Sequence, residues 1–193
     1  MLTLASRSPI RATLLKNAGI AFEVAPARVD EDAVKDALLE EGLGPRDVAD
    51  ALAELKALRV RAPGLVLGCD QTLSFEGALI GKPASPEAAV AQLAAMGGKR
   101  HKLHSAVVIA EDGRPVWRHV ADVTMMMRVA SEAYLADYVA RNWEEIRHCA
   151  GGYMLEGEGA RLFHRVDGDY FAVLGLPLLP LLDYLITRGE VAI

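Results

Sequence analysis

The run "LVLGCD" at residues 65–70 is the feature that most constrains the fold. A short apolar run without polar alternation is typical of a strand covered on both faces, in the middle of a sheet. The run ends in Asp70, and a carboxylate there is costly to bury unless a polar or cationic group meets it. Ligands of open α/β sheets gather at strand ends. Asp70 is therefore a candidate functional residue, and an aspartate that simply begins a turn is the alternative interpretation.

The rest of the chain mixes helix and strand patterns without strict alternation. Two-residue turns at Glu76-Gly77 and Asp112-Gly113 predict hairpins. The stretch "AFEV" predicts a second strand, followed by an acidic loop at residues 30–32. Serine and proline signals predict helix starts near residues 8, 45, 85, 131 and 177. This mixture predicts an α/β or α+β domain with a mixed or largely antiparallel sheet.

Length and charge exclude several classes of protein. The 193 residues suit one domain, spanning 1–193, with a substantial core. The net charge of −5 offers no basic footprint for a nucleic-acid polymer. The apolar stretch "LGLPLLPLLDYLI" is broken by prolines, which indicates core and not a membrane span. Cys69 and Cys149 form no CxxC pair and no signal pattern begins the chain, so we expect a cytoplasmic location.

The segment "LASRSPIRATLLKNAG" at residues 4–19 predicts a strand, a turn and a helix. Ser8 is a good N-cap, and Pro9 suits the first helical position. The free N–H groups and the positive dipole of that helix end suit a phosphate. Arg11 in the first turn opposes the dipole, and a bound anion would resolve that conflict. An ordinary turn with a solvated arginine is the alternative interpretation.

Further charged residues become informative as a set. Lys82 in "IGKP" lies at the far end of a hairpin that can return it toward Asp70. Lys56 lies on the helix that begins near Pro45, and Glu31 lies in the acidic loop, where the default is a solvated side chain. Two carboxylates with Arg11, Lys56 and Lys82 form the set needed to hold Mg²⁺ and a polyphosphate.

Seven ordered blocks carry a resemblance to a known family: "LASRSPIR", "VDED", "LAELKA", "GCDQT", "IGKP", "CAGGYMLEGEG" and "GDYFAVLGLP". With these blocks the chain resembles the Maf family of nucleoside triphosphate pyrophosphatases, also called septum formation inhibitor proteins. The resemblance implies an elongated mixed β-sheet flanked by helices, with two lobes around a nucleotide cleft. It also implies a homodimer, because members of the family are commonly dimeric.

The implied activity is hydrolysis of a nucleoside triphosphate between the α and β phosphates, giving a monophosphate and pyrophosphate. The resemblance implies a divalent metal cofactor, Mg or Mn, and a role in removing modified or surplus nucleotides. Its catalytic residues fall on Asp70, Lys82 and Glu31, of which Asp70 and Glu31 are also the metal ligands. Its substrate-binding residues fall on Ser6, Arg11, Lys56 and Glu156.

Two departures from the family pattern concern the substrate. Many members have a second arginine where this chain has Ile10, and members acting on dTTP and UTP have glutamine where it has Glu156. The segments "CDQT" and "HCAGGYMLEGEG" look closer to the 7-methyl-GTP branch of the family. An ionised glutamate at position 156 can also accept from the N1–H and exocyclic amine of guanine, which favours a guanine-type base. A dTTP/UTP pyrophosphatase remains an alternative, as does a Glu156 that points to solvent. A non-catalytic inhibitor of septation, acting in cell division by protein binding, is the rival of another class.

Overall fold

The computed structural model describes residues 1–193 as seven strands, seven α-helices and one 3₁₀-helix. The strands are β1 (Leu2–Leu4), β2 (Phe22–Val24), β3 (Leu65–Phe75), β4 (Ala78–Ile80), β5 (Arg100–Glu111), β6 (Arg114–Met127) and β7 (Phe163–Asp167). The helices are α1 (Pro9–Asn17), α2 (Glu31–Glu40), α3 (Pro45–Arg59), α4 (Pro86–Met96), α5 (Glu132–Ile146), α6 (Tyr170–Val173) and α7 (Leu178–Thr187), with the 3₁₀-helix at Glu158–Leu162. None of these helices combines the length and apolarity needed to cross a membrane.

The seven strands form one mixed sheet, as the sequence predicted. The strand order is β2-β1-β3-β5-β6-β7, and β4 pairs with β3. β1 runs parallel to both β2 and β3, whereas β3 with β4 and β6 with β7 are antiparallel pairs. The two predicted hairpin turns are present, with positive φ at Glu76, Gly77, Asp112 and Gly113, as two-residue hairpin turns require.

The chain divides into two compact units. The first unit comprises Met1–Gln71, His104–Ala121 and Asp169–Ile193. The second unit comprises Thr72–Leu103 and Asp122–Gly168. Glu31, Lys56 and Asp70 therefore belong to the first unit, and Lys82 and Glu156 belong to the second.

The core of the first unit lies on both faces of β3. Because successive side chains of a strand point to opposite faces, Leu65, Leu67 and Cys69 join one apolar cluster with residues of α1 and α7. Val66 joins the other cluster, with the alanines of α3 at positions 49, 53 and 57. The prediction that "LVLGCD" is covered on both faces is confirmed.

Gly68 lets α3 approach β3 closely. A Cβ at this position would lie 2.1 Å from the carbonyl oxygen of Ala53 and 2.6 Å from the backbone nitrogen of Ala57. Both neighbours are helix backbone, which cannot rotate away. The face of β3 that carries Gly68 and, two residues later, Asp70 is therefore held against α3.

The second unit has an aromatic core beside its two main helices. The Nε2 atom of His101 lies 2.7 Å from the hydroxyl of Tyr153, and Phe163 contacts both rings. The helix starts predicted at Ser85 and Ser131 are confirmed. The two serine side chains accept hydrogen bonds from the backbone N–H groups of Ala88 and Tyr134.

The structure corrects three sequence predictions. β3 continues to Phe75, so Asp70 lies inside a strand and does not end one, because the apolar run and the first hairpin arm are one strand. The predicted acidic loop is the start of α2, where Asp30 accepts from the N–H of Ala33 and Glu31 occupies the first turn. Acidic side chains stabilise that end of a helix. The helix that follows Ser131, for which the sequence predicts an end near Asn142, extends as α5 to Ile146.

Candidate active site

Asp70, Lys56 and Glu31 form an ion-pair cluster in the first unit. The Nζ atom of Lys56 lies 2.6 Å from Oδ1 of Asp70 and 2.7 Å from Oε1 of Glu31. Lys56 and Asp70 are only 7% and 4% exposed. A buried carboxylate is tolerated when a cation meets it with good geometry, and Lys56 is that cation. The alternative of an Asp70 that begins a turn is therefore wrong, and Glu31 is not simply a solvated loop residue.

The second carboxylate oxygen of Asp70 has no protein partner. Oδ2 is buried and accepts no hydrogen bond. Most buried polar atoms of native proteins are hydrogen-bonded, so an exception needs a chemical explanation. An acceptor held in this way can take a proton, orient a water molecule or bind a hard cation.

Arg11 is fixed by three acceptors of the first unit. Its Nε donates to the carbonyl of Gly175 at 2.8 Å, and its Nη1 donates to the Cys69 carbonyl at 3.0 Å and to the Ser6 hydroxyl at 3.3 Å. The Cys69 carbonyl directly precedes Asp70 in β3. The guanidinium is therefore placed beside the strand segment that carries the catalytic candidate, and the alternative of a fully solvated arginine is wrong.

The turn before α1 uses Ser6, not Ser8, as its side-chain acceptor. Ser8 occupies the N-cap with extended backbone, and Pro9 follows as the first helical residue, as predicted, but the Ser8 hydroxyl makes no cap. The Ser6 hydroxyl instead accepts from the Ser8 N–H at 3.2 Å. The first turn of α1 contains no acidic side chain. The positive dipole at this helix end is therefore not offset by a carboxylate in the first turn, which suits a phosphate.

Cys69 is a buried thiol and not a nucleophile. Burial raises its pKa to about 11, although Arg11 and Lys56 act to lower it. The reactive form of a cysteine is the thiolate, which is scarce at neutral pH when the pKa is this high. Cys69 fills the core beside the candidate site.

Lys82 and Glu156 both act electrostatically on the thiol of Cys149 in the second unit. The pKa of this thiol is raised to about 11, mainly by burial; Glu156 contributes to the rise and Lys82 opposes it. Both are exposed, and their contacts with a substrate stay predictions.

Gln71 and Ser105 are site neighbours that the sequence interpretation missed. The Nε2 atom of Gln71 shares its two N–H donors among three acceptors: the carbonyls of Ala172 and Val173 at 2.9 and 3.0 Å and the Ser105 hydroxyl at 2.8 Å. Two features hint at this role: Gln71 directly follows the candidate carboxylate, and it is the first polar residue on that face of β3. Neither feature reveals the partners, which lie 34 and about 100 residues away.

Comparison with known proteins shows the family. The model of the Maf-like protein family matches residues 1–188, and the chain belongs to this family. A Ruegeria pomeroyi protein named nucleoside triphosphate pyrophosphatase is 58% identical over 193 residues, covering 98% of this chain and 97% of the relative. A Brucella abortus protein named 7-methyl-GTP pyrophosphatase is 50% identical over 184 residues, covering 94% and 92%. These findings confirm the predicted family and the hydrolase class.

Proposed function

We propose that this chain hydrolyses the α–β phosphate bond of a nucleoside triphosphate. The observation that carries the proposal is the buried Asp70 carboxylate, which Lys56 holds through Oδ1 while Oδ2 keeps no protein partner. In the proposed reaction Asp70 accepts a proton from water, whose oxygen attacks the α phosphorus. The bond from that phosphorus to the bridging oxygen breaks, and pyrophosphate leaves with the bond's electron pair.

Cationic residues would offset the charge of the triphosphate and of the departing pyrophosphate. Arg11 supports this role because it donates to the carbonyl of Cys69, the residue before Asp70, from the start of a helix whose first turn lacks acidic residues. Lys56 offers a second cation, although it is already paired with two carboxylates. For Lys82 we propose the same charge-neutralising role, on the strength of its match to the family motif.

The carboxylates fit a divalent metal ion, which we propose is Mg²⁺ or Mn²⁺. Mg²⁺ sites commonly use one or two carboxylates and complete their coordination with substrate phosphates and water. Asp70 supplies a buried oxygen that lacks a partner, and Glu31 lies on the other side of the same lysine. The protein has no cluster of three or more His, Cys, Asp or Glu side chains arranged for a metal. When bound, the ion would neutralise phosphate charge.

Replacing Asp70 by asparagine tests the proposed chemistry. Asp70→Asn keeps the shape and removes the base, and we expect turnover to fall by at least ~10²–10⁴. The measurement is pyrophosphate release from a panel of nucleotides with Mg²⁺. Asp36→Asn, on the exposed side of α2, makes the same chemical change as a matched control and should keep the wild-type rate. A folded Asp70→Asn protein with near wild-type kcat would refute the assignment.

For the base we propose guanine-type nucleotides, with 7-methyl-GTP preferred. An ionised Glu156 can only accept hydrogen bonds, which suits the two donors on the guanine edge, and 7-methylation adds a positive charge that a carboxylate attracts. The relative named for 7-methyl-GTP supports this choice. A bidentate contact of this kind gives about 1–3 kcal/mol of discrimination. The second candidate is dTTP or UTP.

The base proposal is tested by kcat/KM for 7-methyl-GTP, GTP, UTP and dTTP. Glu156→Gln should move selectivity toward UTP and dTTP by roughly 10-fold or more, the lower end of what one bidentate contact supplies. Glu40→Gln, at the exposed end of α2, is the control and should leave the ratios unchanged. A wild-type preference for UTP or dTTP would contradict the base assignment while leaving the hydrolysis proposal intact.

We also propose that the enzyme works in the cytosol as a homodimer. The two free thiols, Cys69 and Cys149, suit a reducing compartment. The association state can be measured by sedimentation velocity at micromolar concentration, where a single species of twice 20.8 kDa is expected.

A further inference from the structure

Arg11 has most of its hydrogen-bonding capacity committed to the protein. A guanidinium carries five N–H donors: one on Nε and two on each Nη atom. Nε donates to Gly175, and the two hydrogens of Nη1 serve Cys69 and Ser6. Nη2 is the nitrogen that keeps both of its donors for a ligand. The position of Nη2 therefore depends on how firmly the three acceptors are held.

Of the three acceptors, Gly175 is the one that lies far from Arg11 and Asp70 in sequence, in the segment that follows α6. Its φ of +88° lies in the left-handed region that favours glycine. The N–H of Gly175 donates to the carbonyl of Ala172 at 3.0 Å, which closes the end of the short helix. At the other end, Asp169 accepts from the Ala172 N–H at 2.8 Å. A Cβ on Gly175 would lie 3.2 Å from Nη2 of Arg11 and 3.3 Å from its Nε.

Gln71 and Ser105 attach this segment to the sheet. The last carbonyls of a helix have no partners within the helix, and here two of them, on Ala172 and Val173, accept from the amide of Gln71. The buried hydroxyl of Ser105 donates to the same Ala172 carbonyl at 2.6 Å. Gln71 and Ser105 belong to β3 and β5, so the segment is held by two neighbouring strands.

We infer that Gln71, Ser105 and Gly175 are positioning residues that set the Arg11 guanidinium for phosphate binding through its Nη2 edge. These contacts form a continuous path from the sheet to Arg11. Gln71 and Ser105 hold residues 172 and 173. The turn that follows presents the Gly175 carbonyl, which accepts from Nε of Arg11. None of the three positioning residues needs to touch the substrate. The inference rests on the proposed function for its ligand, which is the phosphate chain of a nucleotide.

Gln71→Glu is the sharpest test, because it keeps the size and replaces the donors by acceptors. A carboxylate facing the carbonyls of Ala172 and Val173 repels both of them and releases the segment. A misplacement of about 1 Å in a positioning group can cost ~10²-fold in rate, so kcat/KM should fall about 10- to 100-fold. Gln92→Glu makes the same change on an exposed side chain with a long 3.5 Å contact and should alter kcat/KM less than twofold.

A double-mutant cycle with Arg11→Met separates positioning from general structural damage. If Gln71 acts through Arg11, Gln71→Glu should have little further effect, less than twofold, in the Arg11→Met background. Equal fold-losses in both backgrounds would overturn the inference. Ser105→Ala leaves the Gln71 contacts to the helix intact and serves as a milder second variant if Gln71→Glu does not fold. It should show the same pattern with a smaller loss of kcat/KM.

Binding of inorganic tripolyphosphate, measured by calorimetry, gives a readout that needs no hydrolysis. Gln71→Glu should weaken this binding in the wild-type background and leave it unchanged in Arg11→Met. A wild-type chain that binds tripolyphosphate in this pattern but hydrolyses no nucleotide would refute the proposed function and support the positioning network. A wild-type chain that hydrolyses nucleotides but is insensitive to Gln71→Glu would refute the network alone. Absence of both binding and hydrolysis in the wild type would overturn both.

Discussion

Gly68→Ala should damage the ion-pair cluster by pushing α3 away from the face of β3 that carries Asp70. The added Cβ would lie 2.1 Å from the Ala53 carbonyl oxygen, whereas ordinary contacts begin at 3.4 Å, so the helix must retreat by the difference, about 1.3 Å. Along the direction from Lys56 to Asp70, that shift would lengthen the 2.6 Å contact to about 3.9 Å, beyond hydrogen-bond range. The clash and the weakened ion pair therefore act together.

The expected cost follows from those two effects. Overpacking a core typically costs ~1–3 kcal/mol, and separating a buried charge from its partner adds to this. We expect the free energy of unfolding to fall by about 3 kcal/mol or more, which in a chain of this size lowers Tm by about 6–12 °C. Thermal unfolding followed by circular dichroism measures the shift, and kcat should fall in parallel because Lys56 no longer holds Asp70.

Gly81→Ala provides the matched control. No atom lies within 4 Å of the position that its Cβ would take, so the substitution should change Tm by less than about 2 °C. The reasoning would be refuted if Gly68→Ala had a Tm within about 2 °C of the wild type, since α3 would then tolerate the methyl group without moving.

Three further predictions concern charge. Burial lowers the pKa of His101 from 6.5 to about 4. Between these two pH values the unfolded chain binds a proton that the folded chain does not, so the free energy of unfolding should fall by up to about 3 kcal/mol as the pH is lowered. Urea unfolding between pH 7 and pH 4 should show this fall in the free energy of unfolding, and the fall should be smaller in His101→Phe. An equal fall in the two proteins would contradict the assignment. Lys56→Met leaves the buried Asp70 without its cation and should cost about 3–5 kcal/mol in urea unfolding, whereas an unchanged midpoint would mean that the carboxylate is not buried in solution. Arg118→Ala removes ion pairs to Asp50 and Glu54 at the surface and should cost no more than about 1 kcal/mol, with the small loss disappearing in 1 M salt; a larger loss would show that this pair of contacts is not screened.

Local sequence signals were sufficient for most elements of the fold. The serine caps before α4 and α5, the two hairpin turns and the proline starts of α1 and α3 all act within a few residues, so their positions could be predicted from neighbours alone. The errors arose where two local patterns merge. Asp70 was predicted to end a strand because the apolar run stops there, but the pairing of β3 with β4 continues the strand to Phe75.

The sequence by itself determined which chemical groups are present: an apolar central strand, a carboxylate after it, and the cations and second carboxylate of the family motif. The tertiary structure decided which of these residues meet. Lys56 reaches both Asp70 and Glu31 only because Gly68 lets α3 approach β3. The partners that fix Arg11 include a carbonyl 164 residues away, and no pattern of neighbours encodes that contact. Spacing along the chain governs the formation of helices and turns, whereas the distance between remote side chains depends on how those elements pack.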